Sequence, residues 1–422
     1  MKMISNNTPI LRFPGFTGEW IETKMGEVCD VTDYVASGSF ASIRENVKYL
    51  SHKDYAILVR VADFSNNFDK SKFVYVDKHA YDYLAKSNLK KGDIVMSNVG
   101  SCGLTFRCPD LGQPMTLAPN AIVIRTKYDD FYYQLFVSQI GQDAINGLVA
   151  QGAMPKFNKT EFKGIVVLVP FNISEQQKIA TCLSESDNLI NAQFEKVNAL
   201  KEKKKGLMQQ LFPQAGEITP RLRFPGFKEE WEEKKMSDVF TRLTVKNAED
   251  NKNVLTISAQ YGLISQLDFF KKSVSASDVT GYYFLNKGDF AYNKSSSQGK
   301  PVGAIKPLKL YDKGVVSTLY ICFRCKDPNA IEFWEQYFDA GVFDKEIMTI
   351  AQEGARNHGL LNVPTNDFFG LSLKMPKPAE QQKIAKCLSA LDDLIASESA
   401  KLDSLKDHKK GLMQQLFPQP SK

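Results

Sequence analysis

An α+β fold is what this 422-residue sequence predicts: two mixed α/β domains separated by two long antiparallel coiled-coil helices, with a pseudo-two-fold created by an internal repeat. Three observations lead there. The stretch Glu175-Gln176-Gln177-Lys178-Ile179-Ala180, running on to Gly206-Leu207-Met208-Gln209-Gln210-Leu211-Phe212-Pro213-Gln214, returns as Glu380 to Ala385 and Gly411 to Gln419. The run Leu11-Arg12-Phe13-Pro14-Gly15-Phe16 with Trp20 returns as Leu222 to Phe227 with Trp231 at identical spacing. Between the two motifs each half holds roughly 150 residues of mixed strand and helix signal. The chain therefore divides into a first domain over residues 1–170, a helix over 171–214, a second domain over 215–376 and a second helix over 377–422.

Taken in order, the opening motif comes first. Pro-Gly inside an aromatic run predicts an extended approach and a turn, with Phe and Trp anchoring it to the domain behind. Strand-like runs follow at Tyr55 to Val61, Ala121 to Arg125 and Gly164 to Pro170, and in the second half at Val315 to Arg324 and Phe369 to Met375. Tyr132 to Ile140 and Ile331 to Ala340 read as helices. Pro213 to Pro220, rich in turn and breaker residues and without periodicity, reads as the linker between the halves.

Each helix carries apolar residues at coiled-coil spacing: Ile179, Leu183, Ile190, Val197, Leu200, Leu207 and Leu211 in the first, Ile384, Leu388, Leu391, Ile395, Leu402, Leu405, Leu412 and Leu416 in the second. Steps of three and four sustained this long mark a seam. Each helix would be on the order of 55 Å long, too long to lie inside a compact domain. A single stripe needs a partner, and the other copy, packed back antiparallel, supplies it. The polar residues Ser186, Gln193, Lys204, Glu398 and Lys409 interrupt the seam; they either fix register or are simply part-solvated.

One shared element is informative where it stops matching. Leu89 to Gly100 and Leu285 to Ser296 share a Gly-Asp turn, Gly92-Asp93 and Gly288-Asp289, followed by a short strand. The turn itself is an ordinary hairpin turn. Beyond it stand Asn98 and Ser101 in one copy, and Lys294, Ser296, Gln298 and Lys300 in the other. A second pair of loops, at Lys156 and at Arg356-Asn357, precedes the strand leading into each helix. Polar and basic tips on a common skeleton carry the side chains that read base edges and phosphates; for any single tip residue, a solvated loop is the competing reading.

Composition excludes several classes. No apolar run is long enough to span a bilayer and no signal peptide is present, so a soluble, intracellular protein is expected. Seven cysteines scattered through the chain make no disulfide framework, and Cys322-Phe323-Arg324-Cys325 lacks the second pair that a zinc site wants. His52, His79, His358 and His408 have no metal-ligand spacing. There is no Gly-rich phosphate loop and no Asn-Pro-Pro-aromatic run of the kind amino-methyltransferases use. No catalytic residue, metal or cofactor is expected in this chain. The net charge of +6 supports nucleic acid only moderately. Lys203 to Lys205 and Lys409-Lys410 at the helix ends, with Lys70, Lys72, Lys90, Lys91, Lys271 and Lys272, are candidates for a basic channel, while a solvated helix terminus explains the helix-end lysines equally well.

With its Leu-Arg-Phe-Pro-Gly-Phe openings and its Glu-Gln-Gln-Lys-Ile-Ala helices ending Lys-Lys-Gly-Leu-Met-Gln-Gln-Leu-Phe, the whole chain resembles the specificity subunit of Type I restriction-modification systems. The resemblance implies two target recognition domains, each reading half of a bipartite asymmetric double-stranded DNA target. It implies helices that set the spacer and dock two modification subunits, which bind S-adenosylmethionine and methylate adenine, while separate restriction subunits cut DNA. It also implies a cytoplasmic, non-catalytic role in bacterial defence, with no membrane. Base-reading residues in that family vary and do not transfer by motif. A protein-binding scaffold with two interaction domains on a coiled-coil rod explains the helices as well, but gives no reason for polar tips on a shared skeleton.

Overall fold

The computed structural model describes residues 7–149, 155–214, 216–258, 262–270, 278–295, 301–353 and 361–418. The two long helices are continuous over Ile173–Leu211 and Pro378–Leu416, 39 residues each, about 58 Å at 1.5 Å per residue. The first is capped by the Asn172 side chain, which accepts from the Ser174 amide at 2.9 Å. The second starts with Pro378, whose missing N–H falls where a helix has no use for it. Both stop ahead of a Phe-Pro pair, because proline cannot continue the hydrogen-bond ladder. The chain forms two compact units, Met1–Gln193 with Lys401–Lys422, and Phe194–Ala400, so each unit holds one part of each long helix.

The first unit contains strands β1 (Ile21–Lys24), β2 (Cys29–Asp33), β3 (Ala56–Val59), β4 (Tyr75–Val76), β5 (Asn88–Leu89), β6 (Ile94–Ser97), β7 (Thr105–Arg107), β8 (Met115–Leu117), β9 (Ala121–Thr126) and β10 (Val166–Val169). One sheet runs β2-β9-β6-β7, entirely antiparallel; a second runs β4-β3-β8-β5 with β3 and β8 parallel; β1 pairs with β10. The all-buried strands Ile94–Ser97 and Ala56–Val59 lie inside these sheets, which is why they read as continuous apolar runs and not as alternating ones. The predicted helix over Tyr132 to Ile140 is two helices, Asp129–Val137 and Gln139–Asn146. Ser138 ends the first and caps the second through the Gly141 amide, and a Cβ on Gly141 would stand 2.0 Å from the Leu135 carbonyl oxygen. The bend needs that glycine.

In the second unit the strands are β11 (Glu232–Lys235), β12 (Phe240–Leu243), β13 (Leu255–Ser258), β14 (Gly262–Ser265), β15 (Tyr283–Asn286), β16 (Phe290–Asn293), β17 (Ala304–Pro307), β18 (Lys313–Val316), β19 (Ile321–Cys325), β20 (Gln352–Glu353), β21 (Leu361–Asn362) and β22 (Ser372–Met375). The sheet β12-β19-β16-β17 repeats the connectivity of β2-β9-β6-β7, and β11-β22 repeats β1-β10. Around this shared skeleton the insertions differ: hairpin β13-β14 and the pair β15-β18 take the place of the first unit's second sheet. The predicted strand over Val315 to Arg324 is two strands, because the chain turns at residues 317–320. The predicted strand starting at Phe369 begins later, since Phe369 lies within a helix over Thr365–Gly370.

The helices run antiparallel within each unit. In the first, Ile179, Ala180 and Leu183 share a core with Leu412, Met413, Leu416 and Phe417; in the second, Ile384, Ala385 and Leu388 share one with Leu207, Met208, Leu211 and Phe212. The opening motif and both ends of the helix motif meet at that junction. Arg12 donates to both carboxylate oxygens of Glu175 at 2.7 and 2.8 Å, and Arg223 to both of Glu380 at 2.9 and 2.6 Å. The Leu11 amide donates to the Gln415 carbonyl and the Leu222 amide to the Gln210 carbonyl, both at 2.9 Å. Lys178 lies over Phe16, and Lys383 over Phe227. Gly15 and Gly226 take φ of +90° and +97°, the left-handed turn position that glycine fills without strain. The opening motif thus ties the start of one long helix to the end of the other, twice.

Candidate nucleic-acid interface

The shared sheet builds the candidate interface from a rigid base outward. In the first unit, Arg125 of β9 donates to both oxygens of Asp93 at 2.9 and 2.5 Å, and the Asp93 carboxylate also accepts from the Lys90 amide at 2.8 Å. The second unit repeats this with Arg324, Asp289 and the Asn286 amide. Gly92 and Gly288 turn at positive φ just before these carboxylates. The Gly-Asp pair is therefore a structural anchor that aims the strand after it.

That strand, β6, delivers residues 98–101. Ser97, fully buried, donates its hydroxyl to the Ser101 carbonyl and accepts from the Leu104 amide at 3.0 Å, closing the tip into a tight loop. The loop meets the second predicted segment directly: Val99 bridges Lys156, the Gly100 amide donates to the Pro155 carbonyl at 2.8 Å, and the Phe157 amide donates to the Asn98 carbonyl at 3.0 Å. Asn98 and Ser101 share one edge with Lys156, more than 50 positions further along the sequence. Ser101 and Lys156 are exposed there. The Asn98 carboxamide turns inward instead, its Nδ2 donating to the Phe157 carbonyl at 3.0 Å while its Oδ1 is buried without a partner. It fastens the two loops together. In the second unit the Leu361 amide donates to the Lys294 carbonyl at 3.1 Å, which brings the tip after β16 beside β21. Ser296, Gln298, Lys300, Arg356 and Asn357 lie outside the described residues.

Beside the first tip is an open cleft of about 380 Å³ that the motifs did not reveal. Tyr34, Phe40, Ile43, Arg44, Val47, Tyr49 and Pro119 line it, and Pro119 precedes Asn120, whose carbonyl accepts from the Asn98 amide. Phe40 is 67% exposed and Tyr49 53%. Burial, and then the hydrogen bond from Tyr49, hold the Tyr34 phenol above its ordinary range, so it stays neutral. The walls come from the first unit's insertion, absent from the shared skeleton, and their only signal in sequence is an unremarkable helix capped by Ser39. Nearby, Lys159 reaches Asp33 at 3.1 Å.

The basic channel is partly neutralised. Lys204 pairs with Asp392 and Lys409 with Asp187, both at 2.6 Å, and Lys72 and Lys91 face Asp69 and Asp110 at 3.6 and 3.8 Å. Lys271 and Lys272 lie outside the described residues. Of the helix-end lysines, Lys204 and Lys409 are thus held inside the structure, while Lys203, Lys205 and Lys410 are exposed. Cys322 and Cys325 occupy opposite faces of β19, in separate apolar cores, with burial pushing their thiols up to about 12 and about 11. They face away from each other and cannot share one ion. Among the described residues no helix is long and apolar enough to cross a membrane.

The family model described as Type I restriction modification DNA specificity domain matches twice, over residues 17–202 and 228–407. The type I restriction enzyme MjaX specificity subunit of Methanocaldococcus jannaschii is 26% identical over 195 residues, 44% of this chain and 44% of that protein, so the chain aligns with less than half the length of this curated relative. Among solved structures, a Type I restriction-modification S subunit from M. genitalium has a TM-score of 0.58 at 15% identity, covering 98% of this chain and 100% of that one. A chain from a structure of complex assembly and conformational transition in the type I R-M system has a TM-score of 0.51 at 13% identity, covering 97% and 99%. At such identities these likenesses speak to fold, and the double family match, spanning most of the sequence, shows that the chain belongs to the Type I restriction modification DNA specificity domain family.

Proposed function

We propose that this chain is the sequence-reading subunit of a Type I restriction-modification complex, each domain reading one half of a bipartite DNA target. The observation that carries the reading is the duplicated scaffold with dissimilar tips. Two sheets of the same connectivity, each anchored by an Asp–Arg pair, run into tips of different sequence, Asn98 and Ser101 after one strand and Lys294 after its counterpart. A scaffold held constant while its tips vary is what reading two different half-sites requires, since phosphate contacts position a protein and base-edge contacts specify sequence. In the first domain Ser101, Lys156 and the Arg44 cleft are the groups offered to DNA. The long helices dock two modification subunits, in which S-adenosylmethionine binds and adenine is methylated; restriction subunits join the same complex. The chain itself is non-catalytic and works in the cytoplasm.

Methylation mapping of host DNA with and without this chain tests the reading. A bipartite asymmetric motif that vanishes with the chain supports it; an unchanged methylome overturns it. Purified chain that methylates DNA with S-adenosylmethionine alone would refute the non-catalytic assignment, and a chain that binds proteins but selects no sequence from random DNA would favour the scaffold.

A further inference from the structure

Two of the polar residues that interrupt the helical seam belong to a three-residue cluster that occurs twice. In the first unit, Gln134 Nε2, on the helix Asp129–Val137, donates to Asp187 Oδ2 at 2.9 Å, and Lys409 Nζ donates to Asp187 Oδ1 at 2.6 Å. In the second, Gln336 Nε2, on the helix Ile331–Asp339, donates to Asp392 Oδ2 at 2.7 Å, and Lys204 Nζ reaches both Asp392 oxygens at 2.6 and 2.7 Å. Each cluster joins three elements: a domain helix supplies the amide, one long helix the carboxylate, the other long helix the ammonium.

The chemistry is directional. Gln134 and Gln336 are 1% and 2% exposed, and in both copies the amide oxygen, Oε1, is buried with no partner. A buried amide left half satisfied is less favourable than an apolar side chain of the same shape, so stability alone does not account for glutamine at both positions. Its hydrogen bond does something leucine cannot: it sets the rotation of the domain helix against the Asp–Lys pair. A slip of either long helix by one turn, about 5.4 Å, would part the lysine from its carboxylate. Tyr133, next to Gln134, has its phenol pushed up by burial and then by the Asp187 charge, and Arg107 lies 4.9 Å from its ring centre.

We propose that Gln134–Asp187–Lys409 and Gln336–Asp392–Lys204 are positioning clamps, each fixing the angle at which a domain stands on its own long-helix segments. Resting on the function proposed above, this makes them the residues that confine the complex to one spacer length between half-sites. They touch no base and act only through the domains they hold.

The test uses the full chain assembled with its own modification partner. Gln134→Leu, Gln336→Leu and the double variant remove the amide and leave both ion pairs; Gln139→Leu, at an exposed site, is the control. Substrates carry the wild-type half-sites with spacers from two base pairs shorter to two longer, and adenine methylation is read by sequencing. The expected result is unchanged half-site sequences with spacer discrimination lowered by on the order of tenfold in each single variant and further in the double. Unchanged discrimination in a folded double variant overturns the clamps, as does a change in the bases read. Variants that unfold would assign the glutamines to folding and overturn a positioning role. Wild-type complex that methylates no defined bipartite sequence would instead remove the functional reading itself.

Discussion

Arg12 meets a carboxylate that is 1% exposed and Arg223 one that is 2% exposed, so neither Glu175 nor Glu380 has water to fall back on. Arg12→Ala should cost about 3 to 5 kcal/mol in chemical denaturation, because it strands a buried charge. Adding Glu175→Gln should recover part of the loss; a single substitution within about 1 kcal/mol of wild type would show the pair to be solvated. Thiols give a second, pH-dependent expectation. Burial, with a smaller push from nearby carboxylates, raises Cys29, Cys108 and Cys322 from 9.0 to about 12. Unfolded thiols ionise near 9 and folded ones do not, so above pH 9 the folded state holds more protons than the unfolded. Their contribution to stability is complete below pH 9 and declines between 9 and 12. Denaturation midpoints should therefore fall through that window. Alkylation of folded protein at pH 8.5 should spare Cys29, Cys108, Cys322 and Cys325 and label only among the part-exposed Cys102, Cys182 and Cys387. Rapid labelling of Cys322 would contradict both statements.

At the scale of elements, the long helices are unevenly buried along a seam that periodicity renders as uniform. Leu183 and Leu388 are 0% exposed where each domain packs on, whereas Leu200 and Leu405 are only half buried. Leu388→Ala should cost about 2 to 5 kcal/mol and Leu405→Ala clearly less, since the second site already borders water. An aspartate at Leu200 or Leu405 likewise reaches solvent, which reduces the cost expected of a charge in a closed seam. Equal losses for the two alanine variants would mean that the helices, not the domains, bury the seam. The seam was legible because steps of three and four are a local property of the sequence. The Arg12–Glu175 pair was not, although both motifs stood out by repetition: its members are 163 positions apart, and nothing local says that one repeat clasps the other. The same holds for Asn98. Its place on a tip followed from alignment of the two halves, while its inward carboxamide depends on a carbonyl 59 residues away. The helix over Tyr132 to Ile140 split for a nearer reason, a serine able to end one helix and cap the next.

On the scale of the whole molecule, the repeat places both described chain ends in one unit. The Leu11 amide bonds the Gln415 carbonyl, and Trp20 and Phe417 stand edge to face at 6.1 Å between ring centres. In the second unit Leu222 and Gln210, and Trp231 and Phe212 at 6.3 Å, make the same contacts within a continuous chain. One junction is thus covalently linked through the 213–221 segment and its twin is not, which makes the position of the termini a matter of connectivity more than of packing. A short Gly-Ser linker from Lys422 to Met1, with new ends elsewhere, should leave the fold in place. The structure says where to open it. Glu217 accepts from the Gln214 amide at 3.0 Å and from Arg221 at 2.8 Å, and its carbonyl accepts from Lys374 at 2.8 Å, so residues 217–221 are fastened to the second unit. Opening between Ala215 and Gly216 keeps the Arg221 and Lys374 bonds and forfeits only those to Gln214. Such a permuted chain should unfold within a few degrees of the parent and, with its modification partner, methylate the same sequence at the same spacing. A cut after Glu217 should be worse, because it frees the anchor from Arg221. A well-folded permutant that read a different sequence would show that chain connectivity, not the duplicated junction, orients the domains.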